Sequence, residues 1–204
     1  VCGVAGWARV GGTGGGAAGV GPELCRRLLR DERVRAICEP IIFGDEGILR
    51  RVAVHLGLPE VPDLSSMRRI TNLEGGYDST VPGKVSAACG KAAYEYVTFA
   101  IDEALAGRVD AIATGPINKE ALHAAGVPFP GHTEILADRT KSPQACMMLT
   151  SDAITCSLVT VHVGYRDVPA LLTRELVRAT IELTAAAMER MRGRKPRLLV
   201  CGLN

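Results

Sequence analysis

The feature that most constrains this chain is Gly115-Pro116, set directly after the apolar run VDAIA at 109–113. Proline offers no N–H to a strand ladder and glycine weakens one, so the run at 109–113 reads as a strand that must turn there. Asn118 then stands where it can cap a short helix, with Glu120 in its first turn and Leu122 on its buried side. Gly126 supplies the left-handed residue that stops that helix, at about residue 125. A stiff connection, VPFP at 127–130, delivers Gly131-His132-Thr133-Glu134. The stretch is therefore strand, turn, short helix and rigid loop, presenting one imidazole and one hydroxyl. In open α/β sheets, loops at the carboxyl ends of strands are where ligands bind.

Composition removes several function classes. The net charge of +2 and 4% aromatic content disfavour a nucleic-acid surface or a base-stacking platform. No run of about 18 apolar residues spans a membrane, and the start lacks the basic and apolar pattern of a secretory signal. Seven cysteines, at 2, 25, 38, 89, 146, 156 and 201, form no CxxC pair. They read as reduced core thiols, and the cytoplasm is the expected compartment.

Helical and strand-like patterns alternate along the chain. The opening, VCGVAGWARVGGTGGG, holds too much glycine to read as a strand interior. Pro22 and Glu23 open a helix carrying Leu24, Leu28 and Leu29. That glycine-rich entry has two readings, an anion cradle of free N–H groups or a tight turn into the helix, and the turn is favoured. No Gly-Lys-Ser/Thr follows, so it is not a P-loop. A strand at 41–45, a helix over 46–56 closed by Gly57, and a helix over 84–106 closed by Gly107 come next. Residues 59–83 read as a long irregular connection, compatible equally with a lid or binding loop and with a disordered segment. A short helix over 133–139, strands at 146–149 and 154–163, a helix capped by Thr173 and closed by Gly193, and a last strand at 198–201 complete the reading. No repeat or linker marks a domain boundary.

Among the histidines, His55 and His123 sit inside helical patterns and read as structural or solvent-facing. His132 follows a proline-stiffened loop and is evenly balanced between a loop histidine and a ligand contact. His162 lies near the end of the 154–163 run, where it is either a core histidine bonded to a carbonyl or a metal ligand. Lys119, on the first turn of a helix, is either a surface lysine or a point charge for a substrate anion. No GxSxG elbow supports hydrolase chemistry.

TGPINKEAL, FPGHTE, MML and LVTVHVGYRDVP together resemble the 4-hydroxythreonine-4-phosphate dehydrogenase family of pyridoxine biosynthesis, over about residues 19–204. The resemblance implies an α/β fold, a mixed sheet with helices on both faces, in the two-domain manner of isocitrate and isopropylmalate dehydrogenases. It implies NAD- or NADP-dependent oxidation and decarboxylation of 4-phosphohydroxy-L-threonine with a divalent metal such as zinc, magnesium or cobalt. The relatives that use D-threonate or D-erythronate 4-phosphate are an alternative, and a non-catalytic binding or assembly protein is another. His132 and Thr133 match substrate-contacting positions, and His162, in a His-x-x-x-Arg-Asp setting, matches a metal ligand; Lys119 joins the candidate substrate contacts on its helix position alone. Arg166 and Asp167 are expected to pair and steady that loop. A homodimer is implied. The family usually carries an aspartate where this chain has Gly16, and Leu-Pro-Leu where it has Val163-Gly164-Tyr165.

In the family the motif VCGLN runs on into a second metal-ligand histidine and the cofactor-binding loops. This chain ends at Asn204. On this reading residues 1–204 are a partial dehydrogenase without its C-terminal cofactor-binding part. The expectation is an exposed apolar strand at 198–201, poor solubility and no turnover.

Overall fold

Local chemistry sets most element ends. Asp45, Ser86, Asn118 and Thr173 each accept a hydrogen bond from a backbone N–H two or three residues into the helix they cap. Gly57, Gly107, Gly126 and Gly193 take positive φ just beyond helix ends, as the reading of the sequence expects. The structure is a computed structural model, and it describes residues 8–59, 67–69 and 80–202. The chain divides into two units, Val1–Lys141 and Ser142–Asn204.

The first unit holds β1 (Ala8–Thr13), α1 (Gly21–Leu28), α2 (Glu32–Arg35), β2 (Cys38–Gly44), α3 (Glu46–His55) and β3 (Met67–Arg69). It continues with α4 (Ala87–Leu105), β4 (Ala111–Ala113), α5 (Lys119–Ala124) and α6 (His132–Thr140). Its strands form a parallel sheet in the order β3-β2-β1-β4. Parallel strands are buried on both faces, and β2 is: Ile41 and Phe43 pack with Ala92, Tyr96 and Ala100 of α4, while Ile42 packs with Cys25 of α1 and Leu49 of α3. Helices thus cover both faces, as expected. Ile42 and Phe43 are fully buried, which contributes about 2 kcal/mol each.

Two expectations are corrected here. The glycine-rich opening does contain a strand, because the glycines answer to β2. A β-carbon at Gly11 would stand 2.6 Å from the Phe43 ring, and one at Gly12 would stand 3.0 Å from Ile42 Cδ1. The connection after residue 59 contains β3, paired with β2 from Ile42↔Met67 to Gly44↔Arg69. The rest of the expected lid, 60–66 and 70–79, lies outside the described residues.

The second unit holds β5 (Met147–Thr150), β6 (Thr155–Leu158), a 3₁₀ turn (Tyr165–Asp167), α7 (Val168–Leu171) and α8 (Arg174–Arg192). β5 and β6 form an antiparallel hairpin, closed by Ser151 N–H donating to the Ile154 carbonyl at 2.9 Å. The sheets are therefore separate, one parallel and one antiparallel, and no mixed sheet forms among the described residues. β6 ends at Leu158, so the strand expected to run to 163 stops where its partner does. Residues 198–201 are not a strand, and Leu199 is 90% exposed. No described helix is long and apolar enough to cross a membrane.

Candidate active-site cleft

The strand order places a topological switch point between β1 and β4. The chain leaves β1 toward β2 on one side, and β4 joins β1 on the other. Crevices beyond the carboxyl ends of strands at such points bind ligands. A cleft of about 270 Å³ opens there, lined by Gly16, Gly19, Lys84, Gly90, Asn118 and Ala121 among others.

Its walls follow from the sequence. Ser86 Oγ accepts from Cys89 N–H at 3.2 Å and starts α4. Asn118 Oδ1 accepts from Ala121 N–H at 2.8 Å and starts α5. Gly90, which is buried, lets the two helices meet, since a β-carbon there would overlap the Ala121 carbonyl. Lys84 is the only charged side chain lining the cleft among the described residues, and it is exposed. The reading of the sequence placed Lys84 at a helix start and gave it no role. Its position two residues before a serine cap, and so at a helix mouth, is the signal that could have found it.

The glycine loop after β1 is not an anion cradle at three of its amides. Gly14 N–H donates to the Phe43 carbonyl at 2.8 Å, Gly16 N–H to the Pro116 carbonyl at 2.9 Å, and Gly19 N–H to the Gly16 carbonyl at 2.9 Å. Those donors are already used within the protein. The favoured reading, a tight turn into α1, agrees with this arrangement.

His132 opens α6, with Gly131 as a cap that offers no side chain. The histidine expected in a loop is therefore the first residue of a helix. Its ring is half-buried, Nε2 is buried without a hydrogen-bond partner, and the ring lies against the backbone of Gly115, next in the chain to the cleft-lining Pro116; His132 and Thr133 do not themselves line the cleft. Burial pushes the imidazole below the usual histidine range, against the neighbouring Gly115 backbone, which raises it. Thr133 is half-buried on the same turn. Lys119 is exposed, one residue beyond Asn118, and does not line the cleft. His123 is exposed, as expected for a solvent-facing helix residue.

His162 belongs to the second unit. It is exposed, has φ +57, and follows β6 by four residues, so it is neither a core histidine nor at the strand end. Asp167 and Arg166 are also exposed, and no ion pair joins them. No group of three His, Cys, Asp or Glu side chains that could hold a metal ion exists among the described residues. One imidazole does not make a catalytic divalent site, which takes about three protein ligands.

Comparison with known proteins agrees with the fold and the motifs. The family model described as pyridoxal phosphate biosynthetic protein PdxA matches residues 36–204. A 4-hydroxythreonine-4-phosphate dehydrogenase of Trichlorobacter lovleyi is 37% identical over 94% of this chain and 61% of its own length. A D-threonate 4-phosphate dehydrogenase of Cupriavidus necator is 36% identical over 96% of this chain and 62% of its own. The crystal structure of a 4-hydroxythreonine-4-phosphate dehydrogenase from Burkholderia phymatum superposes with a TM-score of 0.81 at 36% identity, covering 97% of this chain and 63% of that one. The chain thus spans a little over 60% of the length of these relatives. It belongs to the PdxA family of pyridoxal phosphate biosynthetic proteins.

Proposed function

We propose that this chain carries the substrate-recognising cleft of a dehydrogenase acting on a small phosphorylated hydroxy acid, 4-phosphohydroxy-L-threonine in the first instance. The observation that carries the reading is the buried, unpartnered Nε2 of His132, whose ring lies against Gly115, next in the chain to Pro116 of the switch-point cleft that Lys84 lines. A neutral imidazole can accept a substrate hydroxyl's hydrogen bond and orient it. Thr133, on the same turn, offers a second hydroxyl contact. Lys84 and Lys119 supply point charges for a carboxylate or phosphate. The dehydrogenase relatives imply a nicotinamide cofactor, which when bound accepts the hydride.

His162 is proposed as a single metal donor. The described residues do not complete its ligand set, so no step is derived through a metal. D-threonate or D-erythronate 4-phosphate is the alternative substrate, favoured by the similarity to the Cupriavidus necator protein. The expected assembly is a homodimer and the expected compartment the cytoplasm.

Calorimetric titration of each phosphorylated acid, followed by NADH or NADPH absorbance, tests the reading. His132→Gln should weaken binding about tenfold, the loss expected when a buried polar partner is removed. Binding without turnover would favour a binding or assembly role, and unchanged binding in folded His132→Gln would remove His132 from the site.

A further inference from the structure

The loop after β1 carries more glycine than a turn into a helix needs, and the excess has a steric reason. Gly15 has φ +60, and a β-carbon on it would overlap the Pro116 carbonyl. A β-carbon at Gly21 would overlap the Gly14 carbonyl. Seen from the facing loop, one at Gly115 would stand 2.5 Å from the Thr13 carbonyl oxygen and 3.0 Å from Gly15 N. The two loops therefore meet backbone against backbone, with no side chain between them.

Two hydrogen bonds fasten that contact. Gly16 N–H donates to the Pro116 carbonyl at 2.9 Å, and Gly115 N–H donates to the Thr13 hydroxyl at 3.0 Å. Thr13 is 1% exposed, so no water competes for its hydroxyl. Pro116 has no N–H, and the peptide joining it to Gly115 has only its carbonyl to offer. The Gly115 backbone is the group against which the His132 ring lies. Held by Thr13 on one side and through Pro116 on the other, Gly115 has little freedom to rotate.

We infer that Thr13 is a positioning residue for His132, its hydroxyl fixing the Gly115 backbone that orients the imidazole, with the glycine loop serving as the clamp. The inference rests on the reading of His132 as a substrate contact. Thr13 does not touch the substrate; it acts through Gly115. A side chain at Gly15 would spread the clamp, and loss of the Thr13 hydroxyl would free the Gly115 amide while leaving the packing shape nearly unchanged.

The test compares Thr13→Val, which keeps the shape and loses the hydroxyl, with Thr13→Ser, which keeps the hydroxyl. Imidazole ¹⁵N resonances of the 204-residue chain are recorded, with His55, His123 and His162 as internal references. Thr13→Val should shift the His132 ring nitrogens and leave the other three in place. It should also weaken binding of the phosphorylated acid by about three- to tenfold, the value of one hydrogen bond. Thr13→Ser should restore both. A folded Thr13→Val protein with unchanged His132 resonances overturns the inference. Should Thr13→Val not fold, hydrogen exchange at the Gly115 amide of the unsubstituted chain decides: protection supports the clamp, and exchange at the open-chain rate overturns it. Failure of the His132 reading is separable, because His132→Gln would then leave binding intact while Thr13→Val still moved the His132 resonances.

Discussion

Gly90→Ala sets two physical effects of opposite sign against each other. Gly90 lies inside the 19-residue helix α4, where alanine is better than glycine by about 1 kcal/mol. Helix propensity alone therefore makes the variant more stable. Packing says otherwise, because the added carbon would overlap the Ala121 carbonyl and stand 2.8 Å from Leu122 N. These are backbone atoms of α5, which no rotamer change can move aside. Relief requires α5 to shift away from α4, and overpacking of this kind costs about 1–3 kcal/mol. Taking the upper end for a backbone obstacle, the net loss is about 2 kcal/mol, or about 4–8 °C in Tm for a chain of this size. Urea unfolding followed by circular dichroism measures it directly. A Gly90→Ala chain as stable as the parent, or more so, would refute the claim that glycine is there for helix contact. Because Gly90 and Ala121 both line the cleft, the shift should also weaken ligand binding in the folded variant.

Two further outcomes follow from burial. The folded His132 has its pKa held below the ordinary value of 6.5, first by desolvation. As pH falls below that value the unfolded chain binds a proton that the folded chain refuses, so stability drops until the folded pKa is passed. His132→Gln should flatten that slope in urea midpoints taken across the acid range, and an equal or steeper slope would count against it. Burial also pushes the Cys25 thiol up to about 11. Among the described cysteines Cys156 and Cys201 are exposed, so alkylation followed by mass spectrometry should label those two ahead of the rest of this set and Cys25 only on unfolding. Early labelling of Cys25 would contradict its buried place on α1, against Ile42 and Leu49.

What was legible in the sequence was the chemistry that a residue settles with its near neighbours. Asn118 and Thr173 cap helices because their side chains reach an N–H three residues on. Gly126 and Gly193 end helices because only the backbone there must turn left-handed. What was not legible depends on a partner strand. Gly11 and Gly12 read as too flexible for a strand until Phe43 and Ile42 are seen beside them. Val159, Thr160 and Val161 have strand propensity, yet β6 stops at Leu158, where its pairing with β5 stops. The motif GHTE drew attention to His132, but neither its unpartnered nitrogen nor the cleft beside it follows from spacing. Lys84 joins that cleft only through the strand order, which no local pattern encodes.

The unpartnered Nε2 of His132 is itself an argument about function. A buried polar atom without a partner costs about 1–3 kcal/mol. The backbone around it is better served, since the amides of Gly14, Gly16 and Gly115 all find acceptors, although Glu95 Oε2 on α4 is another buried atom without a partner. On the proposed reading of His132 as a substrate contact, its bare nitrogen holds a penalty that a ligand would relieve on binding. The relief adds to affinity only if the ring already points the right way, since reorienting it would consume the same energy. That requirement connects the glycine clamp to the histidine. Rigidity in the loop after β1 keeps the Gly115 backbone fixed, and the imidazole it holds is then ready for a hydroxyl donor before one arrives. Ligand addition should accordingly raise the unfolding midpoint of the parent chain more than that of Thr13→Val at equal concentration, by the logarithm of the ratio of their affinities.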